Sequence, residues 1–543
     1  MLLLLVSTLA CSGADVPTDD PDADSDVDTA DTDDTDDTDD TDDTDDTDDT
    51  DDTSPPVVID GAMSVEANPN NPFSAIVTVT VDHAADVWVQ YGEADLDRES
   101  PRVSALAGVP LPVVVLGLRA DRSVSLVAHA ERGSSTWASE PAAYTAPPLD
   151  REWPQCTPTF HVPEAEFDDR EAVCTNMSAP DGTLWYGCVD RWGTPVHLIE
   201  TIDNDSLMSM RALREGGWAS TSITASKVAF FDGAGEQTDQ FGTPWFGTRS
   251  RFQHDWIDSH EMYQIPRGAW AEKLAFITAT TEWLSNGSYK VGNGLIVMDP
   301  DTRGVIYDYS FHGELGDDRS ADTGVPYSRD GYGDYYEDWN HANALLLDTD
   351  ADGRDFFLVS LKSQDWIVKL YPDTDEIAWR LGFGGDFTLV DDIDAADPTP
   401  LDTTLWQYHQ HGVTFLERGE GRYRLLMYDN GAPRIDSTGA YRWDLAYSRA
   451  LVLEIDETSM LAEIVWSWPE LGTNWMFSYI CGNAELLPDD DAVLLLDGSY
   501  HHFAEVGYPD STPRWEMTCA SYEVCSYRVR YAPTLYDFTW DER

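Results

Sequence analysis

Alternating apolar and polar residues predict short strands between residues 55 and 147. Residues 76–81, 87–91 and 123–127 each follow this two-residue period, and turn residues separate them. Such alternation is typical of half-buried strands. About ninety residues of this kind predict a fibronectin- or immunoglobulin-like β-sandwich over residues 55–147. No cluster of catalytic residues stands out there.

A longer pattern repeats further along the chain and begins each time at a histidine. His260, His341 and His411 lie 81 and 70 residues apart, and a polar turn and short apolar strands follow them. Residues 356–360 and 424–428 are examples of these strands. A repeated unit of short strands indicates a β-propeller, predicted here over residues 148–543. Histidines at matching positions of successive blades would meet at the axis, which indicates chemistry rather than packing.

Composition agrees with an all-β protein and excludes one class of partner. The chain has 20 tryptophans and 24 tyrosines, which favour strands. Its 101 acidic and 33 basic residues give a net charge of −68. A surface this acidic repels nucleic acid, so no nucleic-acid partner is expected. A homodimer remains open.

The N-terminus resembles an export signal. Residues 2–9 are apolar and end at Leu9-Ala10-Cys11, which is similar to a bacterial lipobox. Cys11 is therefore the predicted lipid anchor of an outer-membrane or cell-surface lipoprotein, facing the periplasm or the outside, and residues 1–11 are the signal segment. An ordinary cleaved signal peptide is the alternative, since no basic residue precedes the apolar run.

The segment from residue 12 to residue 54 is predicted to be a disordered acidic tether. Thr-Asp-Asp repeats fill it between Thr32 and Thr53. Low hydrophobicity and charge of one sign prevent a packed core. A solvated spacer is favoured over loose Ca²⁺ binding.

Six cysteines remain beyond Cys11, three at each end of the large domain. They are Cys156, Cys174, Cys188, Cys481, Cys519 and Cys525. An even number in an exported chain predicts up to three disulfides, whose connectivity stays open. One bridge across the seam between the first and last blades is plausible. A zinc site is weaker, because no Cys-x-x-Cys pair occurs.

Five segments in order resemble the bacterial arylsulfate sulfotransferase family. They are DWNHAN at 338–343, LVSLKSQ at 358–364, IAWRLG at 377–382, QHG at 410–412 and LMYDNG at 426–431. The resemblance implies a β-sandwich before a six-bladed propeller. It also implies transfer of a sulfuryl group from an aryl sulfate donor to a phenolic acceptor, through a sulfated histidine and without a nucleotide carrier or other cofactor.

Carried over by position, the resemblance assigns His411 as the nucleophile. His260 and His341 are its supporting catalytic residues, and Asn343 is a substrate-binding residue. Lys362 stands where the family usually has arginine. It keeps a cation for the sulfuryl oxygens but loses the two-pronged geometry of a guanidinium. This departure leaves open a second hypothesis, a non-catalytic cell-surface propeller that binds a ligand.

Elementary chemistry agrees with these assignments. Sulfuryl transfer resembles phosphoryl transfer, which needs an in-line nucleophile and cations around spreading negative charge. A neutral imidazole is a competent nucleophile, and a second histidine can move the phenolic proton. No Gly-Lys-Ser/Thr phosphate loop occurs, which argues against a nucleotide-dependent transferase.

Two further features have open interpretations. Asp348, Asp350 and Asp352 precede Gly353 and are spaced as in a calcium loop, although an acidic hairpin turn is the favoured interpretation. His409 lies two residues before His411 and is interpreted as an exposed edge residue rather than a partner of the site.

Overall fold

Runs of β-branched and aromatic residues fold the described part of this chain into sheets, which confirms the all-β prediction. The computed structural model describes residues 59–178, 184–200, 207–213, 217–222, 226–242, 251–252, 254–283, 289–315, 328–329, 335–419, 421–469, 477–489, 491–520 and 525–536. The predicted signal segment, Cys11 and the acidic tether lie outside these residues. The only helices among them are single 3₁₀ turns at Glu164–Glu166, Lys362–Gln364, Thr403–Leu405, Trp443–Leu445 and Gly498–Tyr500.

Two sheets form the N-terminal part of the described chain. One has the strands Gly61–Ala67, Ala75–Val81 and Leu111–Val115. The other has Ala85–Gly92, Arg98–Glu99, Val103–Ala105, Ser123–Arg132, Ser135–Ala138 and Ala142–Thr145. Buried and half-buried residues alternate along Ala75–Val81, as its sequence predicts. Side chains from both sheets, such as Val77 and Leu126, share one core.

Six further sheets follow, which we number 1 to 6 in chain order. Sheet 1 contains Ala172–Ser178, Leu184–Asp190, Pro195–Ile199 and Arg530–Ala532. Sheet 2 contains Leu207–Ala212, Trp218–Ser222, Lys227–Phe231 and Gln237–Gly242. Sheet 3 contains Trp256–Gln264, Leu274–Trp283, Tyr289–Met298, Val305–Ser310, Ser328–Arg329 and Tyr335–Asp338.

The last three sheets are antiparallel, except that Thr388–Val390 pairs in parallel with Leu461–Trp468 at one edge of sheet 5. Sheet 4 contains Ala342–Thr349, Asp355–Leu361, Trp366–Tyr371 and Glu376–Leu381. Sheet 5 contains Thr388–Val390, His411–Gly419, Arg422–Asp429, Arg449–Asp456 and Leu461–Trp468. Sheet 6 contains Asn483–Leu486, Ala492–Asp497, His502–Gly507, Pro513–Cys519 and Cys156–Phe160. A short hairpin, Arg434–Ile435 with Tyr441–Arg442, stands outside them.

The inner strands of successive sheets contact one another. Leu207–Ala212, Trp256–Gln264, Ala342–Thr349, His411–Gly419 and Asn483–Leu486 form such a series, and Ala172–Ser178 contacts its first member. Residues of all but Ala172–Ser178 line one cavity of about 360 Å³, together with residues of the C-terminal segment from Arg528 to Pro533. The sheets are therefore arranged around a common interior.

Strands from the beginning and the end of the region that forms sheets 1 to 6 close this arrangement. Cys156–Phe160 pairs with Pro513–Cys519 in sheet 6, and Arg530–Ala532 pairs with Ala172–Ser178 in sheet 1. Each terminal segment thus completes a sheet built mainly from the opposite end.

Three disulfides confirm the prediction made from the even number of cysteines. Cys156 bonds to Cys519 across the closing strands, Cys174 bonds to Cys188 within sheet 1, and Cys481 bonds to Cys525. With all six paired, no thiolate remains for zinc. Three disulfides indicate an oxidising compartment and hence an exported protein. No helix long and apolar enough to cross a bilayer occurs in the part of the chain that the structure describes.

Polar contacts join the N-terminal sheets to sheets 1 to 6. Asn71 hydrogen-bonds to His197 at 2.8 Å, and Arg119 pairs with the buried carboxylate of Asp190 at 3.0 Å. The hydroxyl of Tyr536, near the C-terminus, accepts from the backbone N–H of Leu116 at 2.8 Å. The segment that contains Tyr536 is therefore held against the N-terminal sheets.

Candidate active site

The three predicted histidines lie at matching places, where the inner strands of sheets 3, 4 and 5 are irregular. Strand pairing is interrupted between Ile257 and Met262 around His260. It is interrupted again between Ala342 and Ala344, next to His341, and between His411 and Thr414. An extra residue in one strand turns side chains out of the regular alternation, and such bulges are frequent beside active sites.

Backbone geometry also marks His341. Its φ of 48° lies in the left-handed region, which costs a residue with a side chain free energy. The surrounding contacts hold it there: Lys362 N–H donates to the His341 carbonyl at 3.0 Å, and Ser363 N–H donates to the Asn340 carbonyl at 3.1 Å.

His260 and His341 form a pair. Their Nε2 atoms are 3.1 Å apart and their ring centroids 4.5 Å apart. The Nδ1 atom of His341 is 2.5 Å from a carboxylate oxygen of Asp338, and Nδ1 of His260 hydrogen-bonds to Asp258. Each imidazole is thus held between a carboxylate and the other imidazole.

The carboxylates themselves are held in place. Asn293 donates to Asp258 at 3.0 Å, while its own oxygen accepts from the backbone N–H of Ala342 at 2.7 Å. Burial alone would raise the pKa of Asp338, but His341 and Lys362 keep that pKa below its usual value. The pKa of Asp258 is lowered against burial in the same way by His260 and His341. Both groups are therefore ionised near neutral pH.

His411 makes a different contact, which defines its tautomer. Its Nδ1 is 2.6 Å from Oδ1 of Asn430. The Asn430 amide nitrogen donates to the carbonyls of Ser478 and Cys481, at 2.8 and 2.9 Å. The carbonyl oxygen of His409 lies 3.1 Å from the same Nδ1. Because both oxygens can only accept, Nδ1 of His411 carries the proton and Nε2 keeps a lone pair.

The charge state of His411 follows from its surroundings. Burial lowers its pKa well below 6.5, and the positive charge of Lys362 lowers that pKa further. His411 is therefore a neutral imidazole at pH 7, as nucleophilic attack through Nε2 requires.

Lys362 lies at the start of the Lys362–Gln364 turn, which directly follows the strand Asp355–Leu361 of sheet 4. The turn ends at Asp365, whose carboxylate accepts from the backbone N–H of His409 at 2.8 Å. The Lys362 side chain is 8% exposed and interacts electrostatically with Asp338, His341 and His411. Its ammonium has no hydrogen bond or ion pair with any residue the structure describes. It is thus a cation available to a ligand.

Tyr527 belongs to the site, although nothing in the sequence pointed to it. Its ring centroid is 5.3 Å from that of His260 and 6.2 Å from that of His411. Its hydroxyl donates to the Asn343 carbonyl at 3.1 Å. The Cys481–Cys525 disulfide joins its segment to the one that carries the two carbonyl acceptors of Asn430. Tyr527 therefore links the histidine pair to His411.

Asn343 is placed to support the site from behind. Its side chain is fully buried, and its amide nitrogen donates to the carbonyl of Gln410, next to His411, at 2.7 Å. Its backbone carbonyl accepts from Arg528 at 2.9 Å. The predicted contact between Asn343 and substrate stays a prediction.

A charged network continues from the site toward the interior cavity. Glu261, next to His260, pairs with Arg211 at 2.9 Å and with Arg528 at 2.5 Å. Burial would raise the pKa of Glu261, but these arginines lower it overall. Gly412, next to His411, lines the same cavity. The cavity is thus lined by chain neighbours of His260 and His411, and not by the histidines themselves.

Two other expectations concern residues outside this cluster. His409 is buried and bonds through its ring to the Ala432 carbonyl, so the interpretation as an exposed edge residue is wrong. Asp348 pairs with Arg267 and Arg418, both at or below 2.9 Å. Asp350 accepts from backbone N–H groups of its own hairpin. These carboxylates already have protein partners, which does not favour a metal; Ca²⁺ binding stays a prediction.

The geometry defines a class of protein: an all-β protein with a buried neutral imidazole beside a cation and a pair of histidines bonded to carboxylates. The chain belongs to the arylsulfotransferase (ASST) family, whose model matches residues 196–528. This membership confirms the resemblance seen in the sequence and indicates aryl sulfotransferase activity in general terms. No curated protein matches the chain.

Solved structures resemble the chain only distantly. A protein of unknown function from Bacteroides caccae is 8% identical, with 67% of this chain and 99% of that chain covered and a TM-score of 0.34. A catalytically inactive virginiamycin B lyase from Staphylococcus aureus is 9% identical, with coverages of 67% and 99% and a TM-score of 0.28. The WD40 domain of Toxoplasma gondii coronin is 11% identical, with coverages of 69% and 74% and a TM-score of 0.27.

Proposed function

We propose that this protein transfers a sulfuryl group from an aryl sulfate to a phenol through a covalent intermediate on Nε2 of His411, without a nucleotide sulfate carrier. The observation that carries this is the Asn430 amide. Its two carbonyl acceptors orient it so that the lone pair of His411 is left on Nε2.

The other residues supply what the reaction needs. Attack by Nε2 on sulfur displaces the aryl oxygen in line, and the negative charge on the sulfuryl oxygens is stabilised by the available ammonium of Lys362. The His260–His341 pair gives a proton to the leaving oxygen, and in the second half-reaction accepts one from the attacking phenol. Donor and acceptor then use one site in turn.

We also propose a six-bladed propeller that follows a fibronectin- or immunoglobulin-like sandwich, with the boundary at residues 147–148. Sheets 1 to 6, the contacts between their inner strands and the strand exchange at the two ends support the propeller. The two N-terminal sheets around one core support the sandwich.

Transient kinetics test the function. With 4-nitrophenyl sulfate and no acceptor, we expect a burst of one 4-nitrophenol per chain and a protein heavier by one SO₃ group at His411. His411→Ala should abolish both, because the bond-forming atom is gone. Lys362→Ala should slow the burst about a hundredfold, the usual loss for one charge-stabilising contact. Lys362→Arg keeps the charge and serves as its matched control.

The outcome also decides between the two hypotheses. A wild-type protein that shows no burst with any aryl sulfate, yet binds phenols, would contradict the transferase and favour the ligand-binding propeller. Near-wild-type transfer by His411→Ala would contradict only the assignment of His411 as the nucleophile, and not the transferase activity.

We further propose that the protein is exported as a lipoprotein anchored at Cys11, with residues 12–54 as a spacer. The Leu-Ala-Cys sequence and the three disulfides support this proposal. Cys11→Ser should move the protein from the membrane fraction to the soluble fraction. Wild type and variant fractionating alike would contradict the anchor.

A further inference from the structure

The protonation of the His260–His341 pair follows from its contacts. Asp258 and Asp338 are ionised, and an ionised carboxylate can only accept hydrogen bonds. The Nδ1 atoms that face them must therefore both carry protons. This leaves the two Nε2 atoms, 3.1 Å apart, facing each other.

Only one number of protons between the two Nε2 atoms is compatible with their contact. With no proton between them, two lone pairs would face each other at hydrogen-bond distance. With a proton on each, two N–H groups and two positive charges would collide. A single proton makes the contact an N–H···N hydrogen bond of ordinary length.

We propose that the pair holds a single shared proton, kept there by Asp258 and Asp338 as positioning residues, and that this proton passes to the leaving phenol and is recovered from the acceptor. The inference rests on the proposed function and deepens it. It assigns roles to two aspartates and makes the pair one acid–base unit rather than two histidines with separate tasks.

The steps balance. In the first, the His411 Nε2–S bond forms, the S–O(aryl) bond breaks, and the aryl oxygen takes the shared proton to leave as a phenol. His411 keeps its Nδ1 proton and becomes a sulfonated imidazolium, whose positive charge offsets the sulfonate. The pair is then left with facing lone pairs, which makes it a strong base. In the second step it removes the acceptor's proton as the phenol oxygen attacks sulfur and the N–S bond breaks.

Among the residues that the structure describes, the charged and titratable groups around the pair are Asp258, Asp338, Lys362, His411 and Tyr527. The carboxylates favour the shared proton and the ammonium opposes it. Burial lowers the pKa of His341, with Lys362 and His260 lowering it further against the opposing effect of Asp338. This works against a second proton on the pair.

Leaving-group dependence tests the proposal. Phenolate needs a proton to leave, whereas 4-nitrophenolate does not. Asp338→Asn should slow the burst about a hundredfold with phenyl sulfate, the lower part of the usual contribution of general acid catalysis, and change it less than about fivefold with 4-nitrophenyl sulfate. Asp258→Asn should behave alike, and the exposed Asp391→Asn serves as control. A purely structural role would slow both donors equally and would overturn the proposal.

The pH profile gives a second readout. Removing a carboxylate makes the shared proton more acidic, so the high-pH limb of the phenyl sulfate burst should move to lower pH in Asp338→Asn. An unmoved limb would contradict the proposal.

Nitrogen-15 NMR of histidine-labelled wild type separates this inference from the proposed function, since it needs no turnover. We expect both Nδ1 atoms of the pair to be protonated and one proton to be shared between the Nε2 atoms. Comparison with His260→Gln and His341→Gln assigns the signals to the two histidines. Spectra with neither or both Nε2 atoms protonated would overturn the inference even in an active enzyme. The expected spectrum from a protein without a burst would support it while the transferase proposal failed.

Discussion

At the scale of single residues, Asn430 helps to decide which ring nitrogen of His411 keeps its lone pair. A neutral imidazole exposes whichever nitrogen lacks the proton, and the tautomer follows from the partner of the other nitrogen. Two backbone carbonyls hold the Asn430 amide so that it can only accept from Nδ1. The pKa of His411, lowered mainly by burial, keeps the ring neutral without any help from a carboxylate.

We predict that Asn430→Ala lowers the burst rate about a hundredfold, in the range typical of a misplaced catalytic group. Because the defect lies in the nucleophile, phenyl sulfate and 4-nitrophenyl sulfate should be slowed alike, unlike in Asp338→Asn. Stopped-flow measurement of phenol release checks this, with Asn70→Ala, in the loop between Gly61–Ala67 and Ala75–Val81, as control. A loss confined to phenyl sulfate would contradict the role of Asn430.

The pH dependence has a defined sign. Only neutral His411 can attack, so the burst rate falls as pH drops through the pKa of His411. Since that pKa lies well below 6.5, the wild-type burst with 4-nitrophenyl sulfate should persist at pH values where an ordinary histidine is already protonated. A half-maximal rate near pH 6.5 would contradict the lowered pKa of His411.

The sequence revealed some of these residues and concealed others. His260, His341 and His411 were found because one residue type recurs before similar strands. Asp338 and Asn430 lie inside the segments that carry the family resemblance, but no spacing rule distinguishes a positioning carboxylate from a surface one. Tyr527 reaches the site from the far end of the chain, and nothing separates it in sequence from the other tyrosines.

At the scale of elements, strands were predictable and their irregularities were not. The strands expected at 356–360 and 424–428 occur as Asp355–Leu361 and Arg422–Asp429, because apolar runs bounded by turns favour one structure. The interruptions of pairing beside each histidine depend on how neighbouring sheets pack. They re-aim the histidine side chains, and no local pattern of residues encodes them.

The Lys362–Gln364 turn shows how one short element connects two sheets. Its first residue donates to the His341 carbonyl, and the residue that follows it, Asp365, accepts from His409. Sequence alone placed Lys362 at the site only through the family resemblance. The turn also sets the distance between the histidine pair and His411, since it is bonded to the backbone before both inner strands.

At the scale of the whole molecule, the first and last strands of the region that forms sheets 1 to 6 hold the arrangement closed. A ring of sheets without exchange would leave the first and last sheets joined by side chains alone. Here each terminal strand adds main-chain hydrogen bonds to a sheet from the opposite end, and Cys156 faces Cys519 in that pairing. The sequence suggested a bridge across this seam from the distribution of cysteines, but it left the partners open among many pairings.

The seam disulfide should therefore stabilise the fold more than the local one. In the chain-entropy model, a bridge stabilises by restricting the unfolded chain, and its effect grows with the loop that it closes. Cys156–Cys519 spans 363 residues and Cys174–Cys188 spans 14. The model gives about 6 kcal/mol for the first and about 3 kcal/mol for the second.

We predict that the Cys156→Ser/Cys519→Ser variant loses about twice as much free energy of unfolding as Cys174→Ser/Cys188→Ser, measured by guanidinium unfolding. Both pairs lie on adjacent antiparallel strands, which makes them matched controls. Equal losses, or a larger loss from the Cys174–Cys188 bridge, would contradict the prediction that the bridge closing the longer loop stabilises the fold more.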